Sequence, residues 1–346
     1  MKTQVKKTLE TLKNSRYHWL HRFEAKRILS NLEKTKGKTD RSAIKASNEY
    51  AADVLGWSGY APWLYVYSSL SGSFKEGWIP DNYYGKIVLP AINNKIGEVS
   101  DVKTVTNVIF RSESIPDIGC FANGLFFSDQ FCVVDDEQIG KYLFSKSDKV
   151  VFKIDDSSQG RGVYFFDRES FDPLAVRNLG NGIFQKYIIQ HEFFEALVPS
   201  SVTTLRITTV LENGGDVSVR ACFLRVGRLD DTHVKTTTLV RIPVDPETGD
   251  LGPFGYLPTW LSIEKHPDTN YVFSGKTVPE FNACRETVVE LHKSMPYVRC
   301  IGWDVCVNND NVVNVMEWNG SHNDIKFSEA TQGPCFSDLG WERLWR

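Results

Sequence analysis

Three segments with alternating apolar and β-branched residues follow one another in the second half of the sequence: 205–211, 217–226 and 237–244. Alternation with a period of two is typical of β-strands, because successive side chains point to opposite faces of a sheet. The turn Asn213-Gly214-Gly215 joins the first two segments and predicts a hairpin. The sequence therefore predicts an extended antiparallel sheet in this region.

Further patterns predict strands mixed with helices. Segments 121–134, 150–154, 162–166, 182–189, 302–307 and 312–318 favour strands, and 279–296 has the apolar stripe of an amphipathic helix. Apolar positions at helical spacing favour helices at 1–56. These elements predict an α+β protein with an N-terminal helical cap. We expect four segments: a basic helical cap at 1–56, an aromatic-rich subdomain at 57–102, a central lobe at 103–198 and a C-terminal lobe at 199–346.

The helical cap carries most of the positive charge. Residues 1–50 contain thirteen Lys or Arg against five Asp or Glu, whereas the whole chain of 346 residues has a net charge of −3. Such a segment is either a solvated helix surface or a contact surface for a membrane or a protein complex. We expect no nucleic acid partner, because no known binding motif accompanies the charge.

The aromatic residues between Trp57 and Asn94 leave two interpretations open. They either line a sugar-binding surface or pack between the cap and the next lobe.

The sequence also predicts a cytoplasmic protein. Its N-terminus lacks the apolar core of a signal peptide, and no stretch has the length and apolarity of a membrane-spanning helix. The seven cysteines form no Cys-x-x-Cys pair, which favours reduced thiols over disulfides, structural zinc or a catalytic cysteine.

Two groups of residues suggest chemistry. The first is a predicted strand ending in Lys153, followed by a small polar loop and Gly162. Glycine lets backbone N–H groups approach phosphate oxygens, and a lysine adds charge, but an ordinary structural turn explains the same pattern.

The second group lies on the last two predicted strands. A short turn between them brings Asp304 beside Glu317, and Asn319 shares the face of Glu317 because strand side chains alternate. Two carboxylates and an amide oxygen are ligands suited to Mg²⁺. An exposed acidic pair at a strand end is the alternative.

Together these groups resemble the ATP-grasp superfamily. The order of Thr204-Leu205-Arg206, Asp245-Pro246-Glu247-Thr248-Gly249 and His266-Pro267-Asp268 is similar to the sugar-transfer-associated branch, over about residues 60 to 335. The resemblance implies two α+β lobes that enclose ATP, with Mg²⁺ (or Mn²⁺) on Asp304, Glu317 and Asn319. The sequence departs from the family pattern at the loop residues Gln159 and Arg161 and at 230–238.

The resemblance also implies roles for other residues. Lys103 and Lys153 would bind phosphates, the hinge after Phe184 would read adenine, and Arg206 would reach the transferred phosphoryl group. Arg225, Lys235 and His322 are candidates for substrate contact, with His322 also a candidate base. The full set of predicted nucleotide-binding residues is Lys103, Lys153, Ser157, Ser158, Gln159, Gly160, Arg161, Gly162, Gln185, Lys186, Tyr187, Ile188, Gln190 and His191.

The implied activity is that of an ADP-forming carboxylate–amine ligase acting through an acyl phosphate. The expected substrates are an amino acid or other amine and a sugar, sugar acid, amino sugar or nucleotide sugar of a surface polysaccharide or capsule. Two alternatives stay open: a small-molecule kinase of the same fold, and a non-catalytic nucleotide-binding scaffold.

Overall fold

The computed structural model describes residues 2–155, 157, 162–230 and 238–346, with side chains from residue 11 onward. Ser158, Gln159, Gly160, Arg161 and Lys235, which the sequence places at the site, lie outside the described residues. The chain forms two compact units, one of Met1–Asn94, Thr259–Ser262 and Asp324–Arg346, the other of Lys95–Pro258 and Ile263–Asn323. The four predicted segments stay a prediction.

The first unit is helical in its N-terminal part. Its helices are α1 (Lys2–Lys36), α2 (Arg41–Glu49), α3 (Ala61–Ser71), α4 (Asp81–Tyr83), α5 (Leu89–Ile92) and, near the C-terminus of the chain, α11 (Lys326–Thr331). The predicted helical region is thereby confirmed. In α2, the Asp40 side chain accepts hydrogen bonds from the backbone N–H groups of Ser42 and Ala43, which is why that helix begins there.

The aromatic segment after Trp57 packs inside this unit. Trp63, Tyr67, Trp78, Tyr83 and Tyr84 are almost completely buried, at 0–1% exposure. Burial at that level leaves these rings no surface to offer a sugar, so the structure favours packing over a sugar-binding surface.

The second unit contains the first sheet, the second sheet apart from Ser262 of its edge strand, and the remaining helices. The first sheet has six strands in the order β3-β2-β1-β6-β4-β5 and the second has seven in the order β11-β10-β9-β8-β7-β12-β13. The strands are β1 (Asp117–Ala122), β2 (Leu125–Ser128), β3 (Val133–Val134), β4 (Lys149–Ile154), β5 (Val163–Asp167), β6 (Gly182–Lys186), β7 (Thr204–Leu211), β8 (Val217–Val226), β9 (Val240–Val244), β10 (Gly255–Tyr256), β11 (Ser262–Ile263), β12 (Cys300–Val307) and β13 (Val313–Asn319). The helices are α6 (Thr106–Phe110), α7 (Asp136–Lys146), α8 (Pro173–Leu179), α9 (Glu192–Leu197) and α10 (Phe281–Lys293).

Most predicted strands appear within a few residues of their expected positions, and the α+β class is confirmed. The segment 121–134 differs, since it forms parts of three strands rather than one. Asn123 and Gly124 have φ values of 49° and 90°, a left-handed pair that closes the β1–β2 hairpin.

Each sheet has one apolar face covered by helices. Phe152 and Phe184 of the first sheet pack with Leu143 of α7 and Val176 of α8. In the second sheet, strand residues such as Ile207 and Trp303 share a core with α10. Because side chains alternate along a strand, residues next to these core positions point to the opposite face of each sheet.

Candidate nucleotide and metal site

The second sheet places a row of charged residues opposite its core. Arg206 lies between the core residues Leu205 and Ile207, and Asp304 lies between Trp303 and Val305. Arg206 pairs with Asp304 across β7 and β12, and Asp304 pairs with Glu317 across β12 and β13. The sequence prediction that Asp304 lies beside Glu317 is confirmed by this register.

Arg206 and Asp304 form a buried two-pronged ion pair. Nε of Arg206 is 2.6 Å from Oδ1 of Asp304, and Nη2 is 3.0 Å from Oδ2. Arg225 of β8 adds a third bond, with Nη1 2.6 Å from Oδ2. Burial alone would raise the pKa of Asp304, but the two guanidinium groups outweigh it and hold this pKa well below its usual range.

Close packing fixes Arg206 from behind. Its Nη1 donates to the carbonyl oxygen of the buried Asn323 at 3.1 Å. A Cβ atom at Gly302 would lie 2.6 Å from Cβ of Asn323 and 3.3 Å from Cδ of Arg206. Glycine at this position therefore permits the close approach that positions the guanidinium group.

The proposed metal ligands share one face and supply oxygen donors. Glu317 and Asn319 are two residues apart on β13, and Asn319 pairs with Gly302, with its Nδ2 donating to the carbonyl oxygen of Gly302 at 3.2 Å. That bond uses the amide nitrogen of Asn319 and not its oxygen. The carboxylate of Glu317 is about one-third exposed.

Asp304 retains limited room for a metal. A carboxylate offers about four lone-pair sites, and hydrogen bonds from Arg206 and Arg225 use three of them, one on Oδ1 and two on Oδ2. One site on Oδ1 remains. The donor set therefore fits Mg²⁺, with Asp304 as a single-oxygen ligand.

Lys153 reaches this row of charged residues from the first sheet. Lys153 and Gln185 follow the core residues Phe152 and Phe184, so their side chains point away from the helices of that sheet. Nζ of Lys153 donates to the carbonyl oxygen of Met316 at 3.4 Å, next to Glu317. Burial lowers the pKa of Lys153, and the charges of Glu317 and Asp117 oppose that effect.

Lys103 is held close to the same point. Its Nζ donates to the carbonyl oxygens of Asp155 at 3.0 Å and Ser157 at 2.8 Å, and it lies 3.7 Å from Oε1 of Glu317. The prediction groups Lys103, Lys153 and Glu317 around one ligand, and these contacts bring the three side chains together.

Asp155 explains how this segment is anchored. Its carboxylate accepts from the backbone N–H and the hydroxyl of Thr104, both at 2.8 Å. Gly162 has a φ of 74°, and a Cβ there would lie 2.9 Å from Cβ of Ser157. Ser157 and Gly162 are the predicted glycine-loop residues that the structure describes. They therefore lie against each other beside Lys103.

The hinge residues differ in their surroundings. Gln185 is 1% exposed, and its Nε2 donates to Asp117 Oδ1 at 2.8 Å, while its Oε1 has no partner among the described residues. Burial raises the pKa of Asp117 to about 6. A buried acceptor without a partner fits a donor on a ligand, such as the adenine amino group.

The other predicted hinge residues are buried or make hydrogen bonds within the protein. The backbone N–H of Lys186 donates to Pro116, and that of Tyr187 donates to Lys149; Ile188 is buried. The Gln190 side chain bonds Val198 and Thr203. His191 accepts from the backbone N–H of Phe193 and so begins α9.

His322 lies three residues beyond Asn319 and is partly buried. His266, which belongs to the motif His266-Pro267-Asp268, is buried, with its Nε2 3.0 Å from the carbonyl oxygen of Gly227. The structure thus gives His266 a place in the packing around β8.

Sequence reasoning missed three residues of the site: Asp117, Asp155 and Thr204. The hydroxyl of Thr204 is buried without a partner among the described residues, on the same sheet face as Arg206 and directly opposite Arg225. Only the Thr-x-Arg spacing carried a signal for Thr204. Asp117 and Asp155 had none, because their partners are distant in sequence.

Comparison with known proteins adds a family. Residues 173–337 match the family model described as sugar-transfer associated ATP-grasp. This segment is similar to the sugar-transfer associated ATP-grasp family. It contains Arg206, Arg225, Asp304, Glu317 and Asn319, whereas Lys103 and Lys153 precede it. The predicted resemblance and the ATP-grasp fold class are thereby confirmed over slightly less than half of the chain.

Solved structures show a more distant likeness. The biotin carboxylase domain of the Hydrogenobacter thermophilus 2-oxoglutarate carboxylase, in complex with MgADP, is 14% identical with a TM-score of 0.45, covering 72% of this chain and 46% of that one. The ATP-grasp ligase PsnB with its minimal precursor is 12% identical with a TM-score of 0.40, covering 73% and 64%. Campylobacter jejuni biotin carboxylase is 12% identical with a TM-score of 0.43, covering 92% and 68%.

The chain thus spans about half to two-thirds of the first two of these proteins. No curated protein matches the sequence.

Proposed function

We propose that this protein is an ATP- and Mg²⁺-dependent carboxylate–amine ligase that forms ADP. One observation carries the proposal: Lys103 and Lys153 from the side of the first sheet meet Glu317 and its neighbour Met316 on the second sheet, within a single unit. Two cations converging on a strand that bears carboxylate and amide oxygens suit a metal-bound polyphosphate.

ATP would lie between the two sheets of this unit. Lys103 and Lys153 bind phosphate oxygens, and Gln185 Oε1 accepts from the adenine amino group. Lys153 suits this role because it is a half-buried cation whose one described hydrogen bond, to Met316, is long at 3.4 Å. An anionic ligand stabilises such a group more than the present contact does.

Asp304, Glu317 and Asn319 would hold Mg²⁺, with Mn²⁺ as an alternative metal. When bound, the metal neutralises charge on the phosphate oxygens. Arg206 and Arg225 supply fixed positive charge beside it. Because Asp304 and Asn323 already fix Arg206, its guanidinium group needs no rearrangement when charge develops on a transferred phosphoryl group.

The reaction would proceed in two displacements. A carboxylate oxygen attacks the γ-phosphorus, and ADP leaves with the electrons of the broken P–O bond. The amine then attacks the acyl carbon, phosphate leaves with the electrons of the broken C–O bond, and the proton that the amine loses leaves with the phosphate to give the amide. Thr204, Arg225 and His322 are the candidates for substrate contact.

The substrate class rests on the family description. A sugar-transfer associated family favours a sugar acid, amino sugar or nucleotide sugar as one partner and an amino acid or other amine as the other. The place of such a product would be a surface polysaccharide or capsule.

Hydroxylamine trapping tests the chemistry. Wild-type protein incubated with ATP, Mg²⁺ and a panel of sugar acids and amino acids should release ADP only with the true carboxylate, and hydroxylamine should capture that substrate as a hydroxamate. ADP release that yields a phosphate ester and no hydroxamate would instead indicate the kinase alternative. ATP binding without any substrate-dependent ADP release would indicate a scaffold and contradict the proposal.

A further inference from the structure

Helix α1 has an outward face that carries large apolar side chains. Leu12, Trp19 and Phe23 follow at spacings of seven and four residues, which places them on one side of a helix. They are 60–61% exposed, and Leu20 at the edge of this face is 47% exposed. The Trp19 and Phe23 rings stack with a centroid distance of 5.8 Å.

The same helix has a separate inward face. Ala25, Ile28 and Leu32 are at most 1% exposed and form its packed side within the helical unit. At 100° per residue, these positions lie nearly opposite Trp19 and Phe23. Helix α1 therefore packs against its unit through the inward face, and the outward face stays exposed.

Cations surround the outward face. Arg16, Arg22, Lys26 and Arg27 are all exposed and lie among or beside the apolar side chains. They form no ion pair within the described part of the chain. Glu24, the acidic residue in the middle of this stretch, lies toward the inward side and is half-buried. The outward face of residues 12–27 thus combines large apolar side chains with charges that are all positive. We call it the α1 outer face.

We propose that the α1 outer face binds an anionic lipid bilayer surface, lying parallel to it. Helices that lie in the membrane interface combine Trp, Phe and Leu with Lys and Arg, burying the rings at the acyl boundary while the cations reach headgroup phosphates. The two residue types on this face match both parts of that environment. No described helix is long and apolar enough to cross a membrane.

Charge argues against a second copy of the chain as the occupant. An antiparallel pair of these helices would bring the same four cations of each copy into one apolar interface, and like charges there are unfavourable. An acidic partner avoids this repulsion between like charges. An anionic bilayer offers negative headgroups for the cations and an apolar layer for the rings.

Vesicle flotation of the full chain tests the proposal. The protein should float with vesicles of phosphatidylglycerol and phosphatidylcholine in equal amounts, and remain unbound with phosphatidylcholine alone. Each of Trp19→Ala and Phe23→Ala should weaken the partition coefficient roughly tenfold, because a buried ring is lost. Replacing Arg16 and Lys26 by Gln should weaken it about fivefold for each cation, and added salt should weaken the wild type.

Matched control variants come from other surfaces. Tyr297→Ala removes a ring that is 66% exposed in the other unit, and the pair Lys45→Gln and Lys293→Gln removes two exposed cations elsewhere. These variants should bind vesicles like the wild type. Circular dichroism and thermal melting should show that the outer-face variants keep the fold, since exposed side chains contribute little to it.

Three outcomes would overturn the proposal. Equal flotation with both vesicle types would remove the anionic requirement. Equal binding by outer-face and control variants would place the contact elsewhere. Absence of vesicle binding would also contradict it. If Trp19→Ala then abolished a concentration-dependent dimer, the α1 outer face would bind a second copy, and if it abolished DNA binding, the face would bind nucleic acid.

Discussion

Replacing Asp304 by Asn should destabilise the protein far more than the same change at Asp268. Both carboxylates form two-pronged bonds to an arginine, Asp304 with Arg206 and Asp268 with Arg228. Their side chains differ in exposure: 7% and 5% for Arg206 and Asp304, against 35% and 19% for Arg228 and Asp268. The comparison therefore changes burial while keeping the two-pronged arginine–carboxylate pair, and Asp304 has one further bond, from Arg225.

The expected magnitudes follow from that exposure. Asp304→Asn leaves a buried guanidinium group without its counter-charge, which costs about 3–5 kcal/mol of unfolding free energy. Asp268→Asn breaks a partly exposed pair, which is screened by solvent and contributes about 1 kcal/mol or less. Urea unfolding followed by tryptophan fluorescence measures both, since Trp303 and Trp318 are buried in the same sheet as Asp304.

The pH dependence provides a second check. The pKa of Asp304 is depressed in the folded protein, so its contribution is fully present above the unfolded value of about 3.9 and is lost as pH falls through the folded value. The difference between wild type and Asp304→Asn should therefore be constant from pH 7 to pH 5 and shrink below about pH 4. Equal losses for Asp304→Asn and Asp268→Asn would refute the reasoning from burial.

Three further outcomes are expected. Glu317→Gln should keep the fold and abolish ADP release, because one charge leaves the metal site; turnover at limiting Mg²⁺ equal to wild type would contradict the metal assignment. Lys153→Met should weaken ATP binding at least tenfold in calorimetry while unfolding stability stays level or rises, since a poorly bonded, half-buried cation is removed. Burial lowers the pKa of His292 to about 4, so stability should fall by about 3 kcal/mol as pH drops from 6.5 to 4; His292→Gln should flatten that slope in urea titrations.

Local patterns explain what the sequence could predict. Asp304 and Glu317 are joined by one short turn, so their pairing follows from hairpin geometry alone. The same is true of the β7–β8 hairpin around Gly214. Lys153 follows a strand whose alternation is visible in the sequence, so its direction away from the core was also accessible.

Non-local pairing accounts for most of what the sequence could not show. The bonds from Arg206 to Asp304 and from Asp155 to Thr104 require strands and turns that are far apart in the chain. No periodicity encodes which strand becomes the neighbour of β7.

The aromatic segment after Trp57 gives no helical signal in the sequence, for a different reason. Helix α3 has buried residues on several sides, including Trp63, Leu64 and Tyr67, so it shows no amphipathic stripe. A helix that is apolar all round gives no 3.6-residue period to detect.

Calorimetric titration of ATP into the full chain, with and without Mg²⁺, tests the central claim most directly. The account predicts binding that strengthens strongly with Mg²⁺, and a Mg²⁺ effect that Glu317→Gln removes while the metal-free affinity stays near wild type. Binding unaffected by both Mg²⁺ and Glu317→Gln, or no binding of ATP at all, would contradict a metal-bound nucleotide at Asp304, Glu317 and Asn319.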